Sequence, residues 1–159
     1  MFGLLKATPV TGKANTLIQC PSDRLFDFIG VELLKNYPRW SPEVKELEKL
    51  TDGPVKTGTQ CRQVRIDQGR RSELTLKVNV FEPGKRICFE GLSNPYRCDY
   101  LIEALDEENS RMTFIFELLD LDLHMKPFEK LIRIAIQDGT ERTVHNIKKI
   151  IEAEQVQTT

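Results

Sequence analysis

The sequence predicts an α+β fold in which a curved antiparallel sheet of about seven strands packs around one long C-terminal helix. Two observations carry this prediction. Short segments of alternating apolar and polar residues, joined by Gly- and Pro-containing turns, follow one another from residue 44 to residue 118. After Pro127 the apolar residues instead recur at steps of three or four, which is the period of a helix. The chain has 159 residues, so we expect a single domain over residues 1–159.

The segment before residue 44 predicts a first strand and two short helices. In ANTLIQC, small or apolar residues alternate with polar ones, as in a strand with one buried face. In PSDRLFDFIG, Ser22 is a candidate cap for a helix that Gly30 can end. VELLKNY predicts a second helix, which we expect to stop before Pro38 because proline disfavours a helical residue before it. Trp40, the only tryptophan, lies in the proline-braced corner that follows.

The strands after this corner are linked by tight turns and short loops. The strand segments are VKELEKL, TQCRQVRI, ELTLKVNVFEPG, RICFEGL, YRCDYLIEAL and RMTFIFELL. Alternation places one set of residues on the inner face of the sheet, namely Leu74, Leu76, Val78, Val80, Ile87, Phe89, Tyr96, Cys98, Tyr100, Ile102, Ala104, Met112, Phe114, Phe116 and Leu118. Strands linked by hairpins form an antiparallel sheet.

The C-terminal helix is predicted from Pro127 to Glu154, a length of about 40 Å. Its apolar stripe consists of Phe128, Ile132, Ala135, Ile136, Gly139, Thr143, Ile147, Ile150 and Ile151. No other predicted element is long enough to cover the apolar face of the sheet. A strongly curved sheet seldom closes completely on one helix, so we expect a pocket between the helix and the concave face.

Composition and charge exclude several classes of protein. Lys and Arg number 23 against 24 Asp and Glu, a formal net charge of -1, which disfavours proteins that bind nucleic acid or anionic membranes. No stretch approaches the roughly 20 apolar residues of a transmembrane helix. The apolar residues 2–5 are too short a run for a signal peptide. We therefore predict a cytoplasmic protein with no stable membrane insertion.

Motifs for cofactors, metals or nucleophilic catalysis are absent from the sequence. It lacks the G-x-S-x-G, P-loop, G-x-G-x-x-G and H-E-x-x-H patterns. Cys20, Cys61, Cys88 and Cys98 form no C-x-x-C pair, so we predict four reduced and mostly buried thiols in preference to a zinc site. We expect no cofactor and no bound metal.

The order of these segments resembles the START-like, or birch-pollen-allergen-like (SRPBCC), superfamily with its helix-grip fold, and within it the polyketide cyclase/dehydrase and lipid-transport type. The resemblance covers nearly the whole chain and depends on PSDRLFDFI, YPRWSPEV, DGPVKTGTQCR, VFEPGKRICFEG and FEKLIRIAIQDGTERTVHNIKKIIEAE. It implies a cavity for a small hydrophobic molecule, because members bind lipids, sterols, quinones, plant metabolites or other proteins, and some catalyse cyclisations. It also implies that Trp40 closes one end of the core near the long helix.

The residues that we expect to bind the ligand lie on the inner face of the sheet, at the corner and on the helix stripe. They are Trp40, Leu76, Val78, Phe89, Tyr96, Cys98, Tyr100, Phe114, Phe116, Ile132, Ile136 and Gly139. Trp40 is interpreted first as a packing residue and second as part of the ligand wall. Glycine inside a helix costs about 1 kcal/mol relative to alanine, so Gly139 indicates either a kink or a close approach of a strand or ligand.

Two polar groups of residues have competing interpretations. Asp120, Asp122 and His124 would share one face of a regular strand, as in a carboxylate–imidazole metal site. The Leu118-Leu119 pair breaks the alternation, however, so we interpret them as solvated residues at a strand end.

Arg62, Arg65, Arg70 and Arg71 cluster on one predicted hairpin. They suggest either recognition of an anionic partner or, as we prefer, a solvated hairpin whose charge is balanced by Asp67 and Glu73.

Three functions remain open at this stage. The first is binding, transport or sequestration of a small hydrophobic molecule without catalysis. The second is a cyclase or dehydratase acting on a polyketide-like or aromatic substrate, with Tyr96, Tyr100 and His124 as candidate polar groups. The third is a protein-binding module similar to co-chaperones, which needs an exposed apolar or charged surface and no usable cavity. The oligomeric state is left open.

Overall fold

The predicted fold class is confirmed by the arrangement of the strands and helices. The computed structural model describes the backbone of residues 9–158 and the side chains of residues 9–155. One seven-stranded sheet curves around the C-terminal helix, and short helices connect the first two strands. The apolar residues 2–5 lie outside the described part. Within that part, no helix is long and apolar enough to cross a membrane.

The first strand of the chain pairs with the last. The sheet order is β1-β7-β6-β5-β4-β3-β2, and every neighbouring pair is antiparallel. The strands are β1 (Val10–Ile18), β2 (Val44–Lys49), β3 (Gln60–Asp67), β4 (Arg70–Glu82), β5 (Arg86–Gly91), β6 (Tyr96–Ala104) and β7 (Ser110–Leu118). The β3–β4 turn contains Gln68 and Gly69 with φ of 51° and 82°, the left-handed conformation that a two-residue hairpin needs.

A bulge in β4 changes which side chains face inward. The register shifts between Val78 and Val80, so that Val80 pairs with Cys88 and Phe81 pairs with Ile87. Directly opposed residues share a face, and Ile87 is on the inner face. Phe81 therefore takes the inner position that alternation predicted for Val80, and that prediction is wrong.

The corner between β1 and β2 contains three helical segments. They are α1 (Ser22–Phe26), a π-helical turn (Asp27–Val31) and α2 (Leu33–Trp40). Pro21, and not the predicted Ser22, is the N-cap of α1. Gly30 does not end a helix as predicted. It lies inside the π-helical turn, where an added Cβ atom would be 2.9 Å from the ring of Phe26.

The predicted end of the second helix before Pro38 is also wrong. Pro38 lies inside α2, which continues to Trp40. Pro38 lacks the N–H that would bond to the carbonyl four residues earlier in α2, so the helix carries this cost. In return, the last turn buries Trp40, which is only 1% exposed.

Trp40 fastens the corner to both the sheet and the C-terminal helix. Its indole N–H donates a hydrogen bond to the Tyr100 hydroxyl over 3.3 Å. The Asn146 side chain donates to the Trp40 carbonyl oxygen over 3.0 Å. The rings of Phe28 and Tyr37 pack beside the indole with centroids at 5.7 and 5.4 Å. Trp40 is thus a packing residue, as predicted.

The C-terminal helix starts slightly later than predicted. A 3₁₀ turn (Leu123–Phe128) contains Pro127, and α3 spans Glu129–Thr158. Helix α3 lies against β1 and β7. The Gln137 side chain accepts a hydrogen bond from the Lys13 backbone N–H over 3.0 Å and donates to the Lys13 carbonyl over 2.9 Å. The outer backbone edge of β1 is therefore covered by the helix and not left open for pairing with another chain.

Only part of the predicted helix stripe is buried. Of the predicted stripe, Ile147 and Ile151 lie in the core, together with Val144, which the prediction did not include. Phe128 is 52% exposed, so its predicted place on the buried stripe is wrong. Gly12 of β1 lies against Ile136 and Thr140 of α3.

The cysteines are free thiols, as predicted. Cys20, Cys61, Cys88 and Cys98 are all buried and form no disulfide.

Candidate functional site

A cavity of about 480 Å³ lies between the concave face of the sheet and α3. Its volume falls in the range of small-molecule sites, roughly 300–1,000 Å³. The lining residues come from α2 and the residue after it, from β3, β4, β6 and β7, from the loop before β6, and from α3. They are Tyr37, Trp40, Ser41, Gln63, Arg65, Leu74, Asn94, Pro95, Tyr96, Cys98, Tyr100, Phe114, Phe116, Leu118, Ala135, Ile136, Gly139, Thr140, Arg142 and Thr143. The expected pocket between helix and sheet is therefore present.

Most of the residues that the sequence proposed for the ligand site meet at this cavity. Those that line it are Trp40, Tyr96, Cys98, Tyr100, Phe114, Phe116, Ile136 and Gly139. They come from four separate elements, which the sheet register and the helix period bring together. Gly139 has open space beside it, since Arg142 Nη2, at 3.7 Å, is the only side-chain atom of the described residues near the position of an added Cβ atom.

The other proposed residues lie elsewhere. Leu76, Val78 and Phe89 are completely buried and do not line the cavity. The Phe89 ring packs against the Tyr37 and Tyr100 rings, with centroids at 5.5 and 5.9 Å, because α2 covers this part of the concave face. Ile132 is partly exposed and also lies outside the lining.

Aromatic rings from adjacent strands build one wall of the cavity. Tyr100 on β6 stacks on Phe114 of β7 with centroids 4.6 Å apart, and Tyr96 stacks on Phe116 at 6.0 Å. Tyr100 is directly opposite Phe114 where β6 pairs with β7. Phe116 is directly opposite Cys98, and Tyr96 lies two residues before Cys98 on the same face, so Tyr96 and Phe116 are diagonal neighbours. A stacked aromatic wall offers a flat apolar surface to a ligand.

Polar side chains from β3 face this wall. Gln63 and Arg65 are two residues apart on β3, and both line the cavity. The Arg65 guanidinium donates two hydrogen bonds to the Asp67 carboxylate, at 3.1 and 3.2 Å. Burial lowers the pKa of the Arg65 guanidinium. The hydrogen bonds to Asp67 and the interaction with the nearby Tyr37 hydroxyl outweigh burial, so the pKa is raised above the ordinary arginine value. Arg65 is thus a charged group whose counter-ion is already supplied by its own strand.

The tyrosine hydroxyls and the cysteine thiol of the cavity lining stay protonated near neutral pH. Burial raises the pKa of the hydroxyls of Tyr37, Tyr96 and Tyr100 well above the ordinary tyrosine range. Burial likewise raises the pKa of the Cys98 thiol. In this state the tyrosines are neutral hydrogen-bond donors and acceptors, and the thiol is a poor nucleophile.

Among the described residues, two buried polar atoms of the cavity lining find no hydrogen-bond partner. They are Gln63 Oε1 and the Tyr96 hydroxyl oxygen. Gln63 is only 1% exposed. Buried polar atoms in folded proteins are nearly always paired, so the two atoms mark a place where a ligand could complete the hydrogen bonding.

Sequence reasoning missed the polar part of the lining. Gln63 and Arg65 follow buried Cys61 at steps of two, and this spacing could have placed them on the inner face of β3. Polar side chains normally face solvent, so these two were not placed in the lining. Tyr37 was missed because the segment before Pro38 was expected to end the helix, whereas α2 continues and turns this ring inward.

The Asp120, Asp122 and His124 group does not assemble into a site. Strand β7 ends at Leu118, and His124 lies in the following 3₁₀ turn, so the three residues do not share a strand face. All three are exposed. The described residues contain no group of three or more His, Cys, Asp or Glu side chains that could hold a metal ion.

Two of the four arginines, Arg62 and Arg65, are balanced by carboxylates of their own hairpin and of β2. Arg62 pairs with Glu73 and lies 3.8 Å from carboxylate oxygens of Glu46 and Glu48. Arg65 pairs with Asp67. The predicted pairing with Glu73 and Asp67 is confirmed for these two arginines, but Arg65 lines the cavity and is only partly exposed to solvent.

Solved structures share this arrangement of sheet, corner and helix. The Zhui aromatase/cyclase from Streptomyces sp. R1128 superposes with a TM-score of 0.74 at 12% identity, over 91% of this chain and 94% of that one. The Polyketide_cyc-like protein Cgl2372 from Corynebacterium glutamicum gives a TM-score of 0.67 at 18% identity, over 93% and 94% of the two chains. The chain has the START-like helix-grip fold.

A third neighbour supports the same fold. TTHA0849 from Thermus thermophilus gives a TM-score of 0.68 at 17% identity, over 91% of this chain and 98% of that one. No family model and no curated protein matches the sequence. At these identities the START-like likeness establishes the fold, and the function has to be argued from the cavity.

Proposed function

We propose that this protein binds a small hydrophobic molecule in the cavity between the sheet and α3, and so carries or sequesters it. The observation that supports the proposal most strongly is a cavity of about 480 Å³ with a stacked aromatic wall and a lining that is more apolar than polar. Apolar lining with a small number of oriented polar groups is the usual composition of small-molecule sites.

In this proposal the aromatic rings provide the affinity. Phe114, Phe116, Tyr96 and Tyr100 would contact the faces of the ligand, and Trp40 would close the inner end. Ile136 and Gly139 would form the helix side of the site. The missing side chain at Gly139 leaves room for the ligand and not for a strand, because no sheet atom lies within 4 Å of an added Cβ atom.

A fluorescence titration tests the proposal directly. N-phenyl-naphthylamine is an apolar dye whose emission rises when it leaves water, and Trp40 is the only tryptophan, so both signals report on the cavity. We expect saturable binding to one site with quenching of Trp40 emission. Absence of saturable binding by this dye, together with no ligand in native mass spectra of protein purified from its own host, would overturn the proposal.

A pair of matched variants on α3 ties the binding to the cavity. Ala135 is exposed to solvent and lines the cavity, so Ala135→Phe should narrow it and weaken dye binding by about tenfold or more. Ala153 is exposed on the same helix and lines a separate depression beside Arg39, so Ala153→Phe should bind the dye like the parent protein. Equal affinities in the two variants would place the dye elsewhere.

A cyclase or dehydratase acting on an aromatic or polyketide-like substrate is the second candidate. It is favoured by the likeness to an aromatase/cyclase and by the position of Tyr96 and Tyr100 on the cavity wall. His124 does not support it, since this residue is exposed outside the cavity. The neutral tyrosines could orient a substrate carbonyl, but with raised pKa values they are poor bases at neutral pH.

Product analysis distinguishes the two candidates. Adding the protein to a polyketide synthase that releases an uncyclised chain should change the product pattern only if the protein is a catalyst. The co-chaperone-like alternative called for a domain with no usable cavity, so we do not propose it. Location in the cytoplasm stays a prediction.

A further inference from the structure

Gln63 and Tyr96 are placed on the cavity wall at a cost in stability that the fold does not require. Inward strand positions normally carry apolar side chains, and a buried polar atom without a partner destabilises the folded state. Gln63 Oε1 and the Tyr96 hydroxyl oxygen are both buried without a partner among the described residues. Trp40 and Tyr100, in contrast, form a hydrogen bond with each other.

The Tyr96 ring is held so that its hydroxyl cannot easily turn away. The ring lies between Gly91 on β5 and the Phe116 ring on β7. A Cβ atom added to Gly91 would be 2.6 Å from Tyr96 Cε1, so the ring occupies the space that any other residue at position 91 would fill. On the other side, Phe116 is stacked at 6.0 Å with an interplanar angle of 15°. This packing fixes the position of the ring, and the hydroxyl oxygen at its end is buried.

Charge around the two atoms indicates what kind of group would pair with them. The Arg65 guanidinium lies two residues from Gln63 on the same strand, and it disfavours a cationic ligand group at this place. Asp67 already neutralises Arg65, so an anionic ligand group is not required. Gln63 Oε1 can only accept a hydrogen bond, while the Tyr96 hydroxyl can donate one. A neutral group that offers one hydrogen and one oxygen meets both needs.

We propose that the cavity selects ligands that carry a hydroxyl group, with the ligand O–H donating to Gln63 Oε1 and a ligand oxygen accepting from the Tyr96 hydroxyl. This inference deepens the proposed function and rests on it. Gln63 and Tyr96 are then specificity-determining residues, and the aromatic wall contributes affinity without distinguishing hydroxylated molecules from their methyl analogues.

Two probes of nearly the same shape test the proposal. In β-naphthol a hydroxyl occupies the position that a methyl group occupies in β-methylnaphthalene, so the ratio of their dissociation constants, measured by equilibrium dialysis, isolates the hydroxyl. We expect Gln63→Leu to shift this ratio by about tenfold toward β-methylnaphthalene. Tyr96→Phe should shift it in the same direction while leaving the ring in place.

The control is the same substitution on the same strand. Gln60 lies on β3 outside the cavity lining, so Gln60→Leu should leave the ratio unchanged. A second readout does not need a ligand. Because Gln63 Oε1 has no partner among the described residues, Gln63→Leu should raise the melting temperature, and a clear fall would mean that the amide has a structural partner and would overturn the inference.

The outcomes also separate this inference from the proposed function. If both probes bind the parent protein and the ratio is unchanged in Gln63→Leu and Tyr96→Phe, hydroxyl selection is wrong while hydrophobic binding stands. If neither probe binds, the proposed function fails and this inference fails with it.

Discussion

Gly12 on β1 and Thr140 on α3 are in such close contact that a Cβ atom added to Gly12 would be 2.5 Å from Thr140 Oγ1. The same added atom would be 2.8 Å from Ile136 Cγ2 and 3.1 Å from the Ile136 carbonyl oxygen. The Thr140 hydroxyl cannot move away freely, because it donates a hydrogen bond to that carbonyl over 2.6 Å. Gly12 therefore sets how closely the helix lies on the edge strand, and with it the depth of the cavity beside them.

Gly12→Ala should destabilise the protein by about 1–3 kcal/mol, the usual cost of forcing an extra methyl group into a packed contact. The helix backbone at Ile136 is one of the atoms in the way, so a rotamer change alone cannot relieve the clash. Urea denaturation followed by circular dichroism gives the free energy of unfolding.

Gly139→Ala is the matched control for this change. Gly139 lies one residue before Thr140 on the same helix, but it has only Arg142 Nη2 within 4 Å of an added Cβ atom. This variant should gain helix propensity of up to about 1 kcal/mol. If the two alanine variants unfold at the same urea concentration, the close contact at Gly12 does not limit stability.

The comparison of the two glycines indicates what sequence reasoning can and cannot predict. Glycine is unfavourable inside a helix, so the sequence indicates a possible close contact at Gly139. Gly12 precedes the segment in which the first strand was recognised, and the close approach depends on how α3 crosses β1, which no local pattern encodes. The strand order and the long helix follow from periodicity, whereas the angle and depth of their packing follow from tertiary contacts.

The lining of the cavity could likewise be predicted only in part. Alternation correctly placed Tyr96, Cys98 and Tyr100 on one inner face, and it also placed Leu76 and Val78 there. It could not indicate that Leu76 and Val78 are completely buried, while the space beside the tyrosines is left open. That difference depends on the path of the corner, where Pro38 continues a helix against its local preference.

Gly139→Leu should weaken the binding of an apolar dye while leaving the protein at least as stable as the parent. The leucine side chain enters the open space of the cavity, so overpacking is not expected, and the helix gains propensity of up to about 1 kcal/mol. The dye would lose the volume that the leucine occupies. Dissociation constants and urea midpoints measured on the same samples check both parts.

Gly139→Ala serves again as the reference, since its single methyl group should reduce the cavity far less. A large loss of stability in Gly139→Leu would contradict a roomy cavity at this position. Unchanged binding would mean that the ligand does not reach the helix side of the cavity.

Tyr100→Phe should cost about 1–3 kcal/mol, because it leaves the Trp40 indole N–H buried without its acceptor. The aromatic contacts of the ring with Phe114 and Phe89 remain, so the loss belongs mainly to the hydrogen bond. A double-mutant cycle with Trp40→Phe isolates the coupling, which we expect to be about 0.5–1.5 kcal/mol. Additive effects of the two substitutions would show that the 3.3 Å contact contributes nothing.

Stability should fall at alkaline pH because of the buried thiols. Burial raises the pKa of Cys61 and of Cys88 from 9.0 to about 11. Below about pH 9 these thiols are protonated in both states, and the burial of the neutral group contributes its full stability. Between about pH 9 and about pH 11 the unfolded chain binds fewer protons than the folded one, so the free energy of unfolding falls as pH rises.

Urea midpoints measured across this pH range should therefore decrease steadily above about pH 9. Cys61→Ala removes one of the titrating thiols. It should lower stability at neutral pH through the lost side chain, yet it should also reduce the slope of stability against pH, because one fewer group takes up protons on folding. The buried tyrosines titrate still higher, with raised pKa values, and they add to the same fall without reversing it. A slope that is identical in Cys61→Ala and in the parent protein would mean that the Cys61 thiol is not shielded from solvent in the folded state.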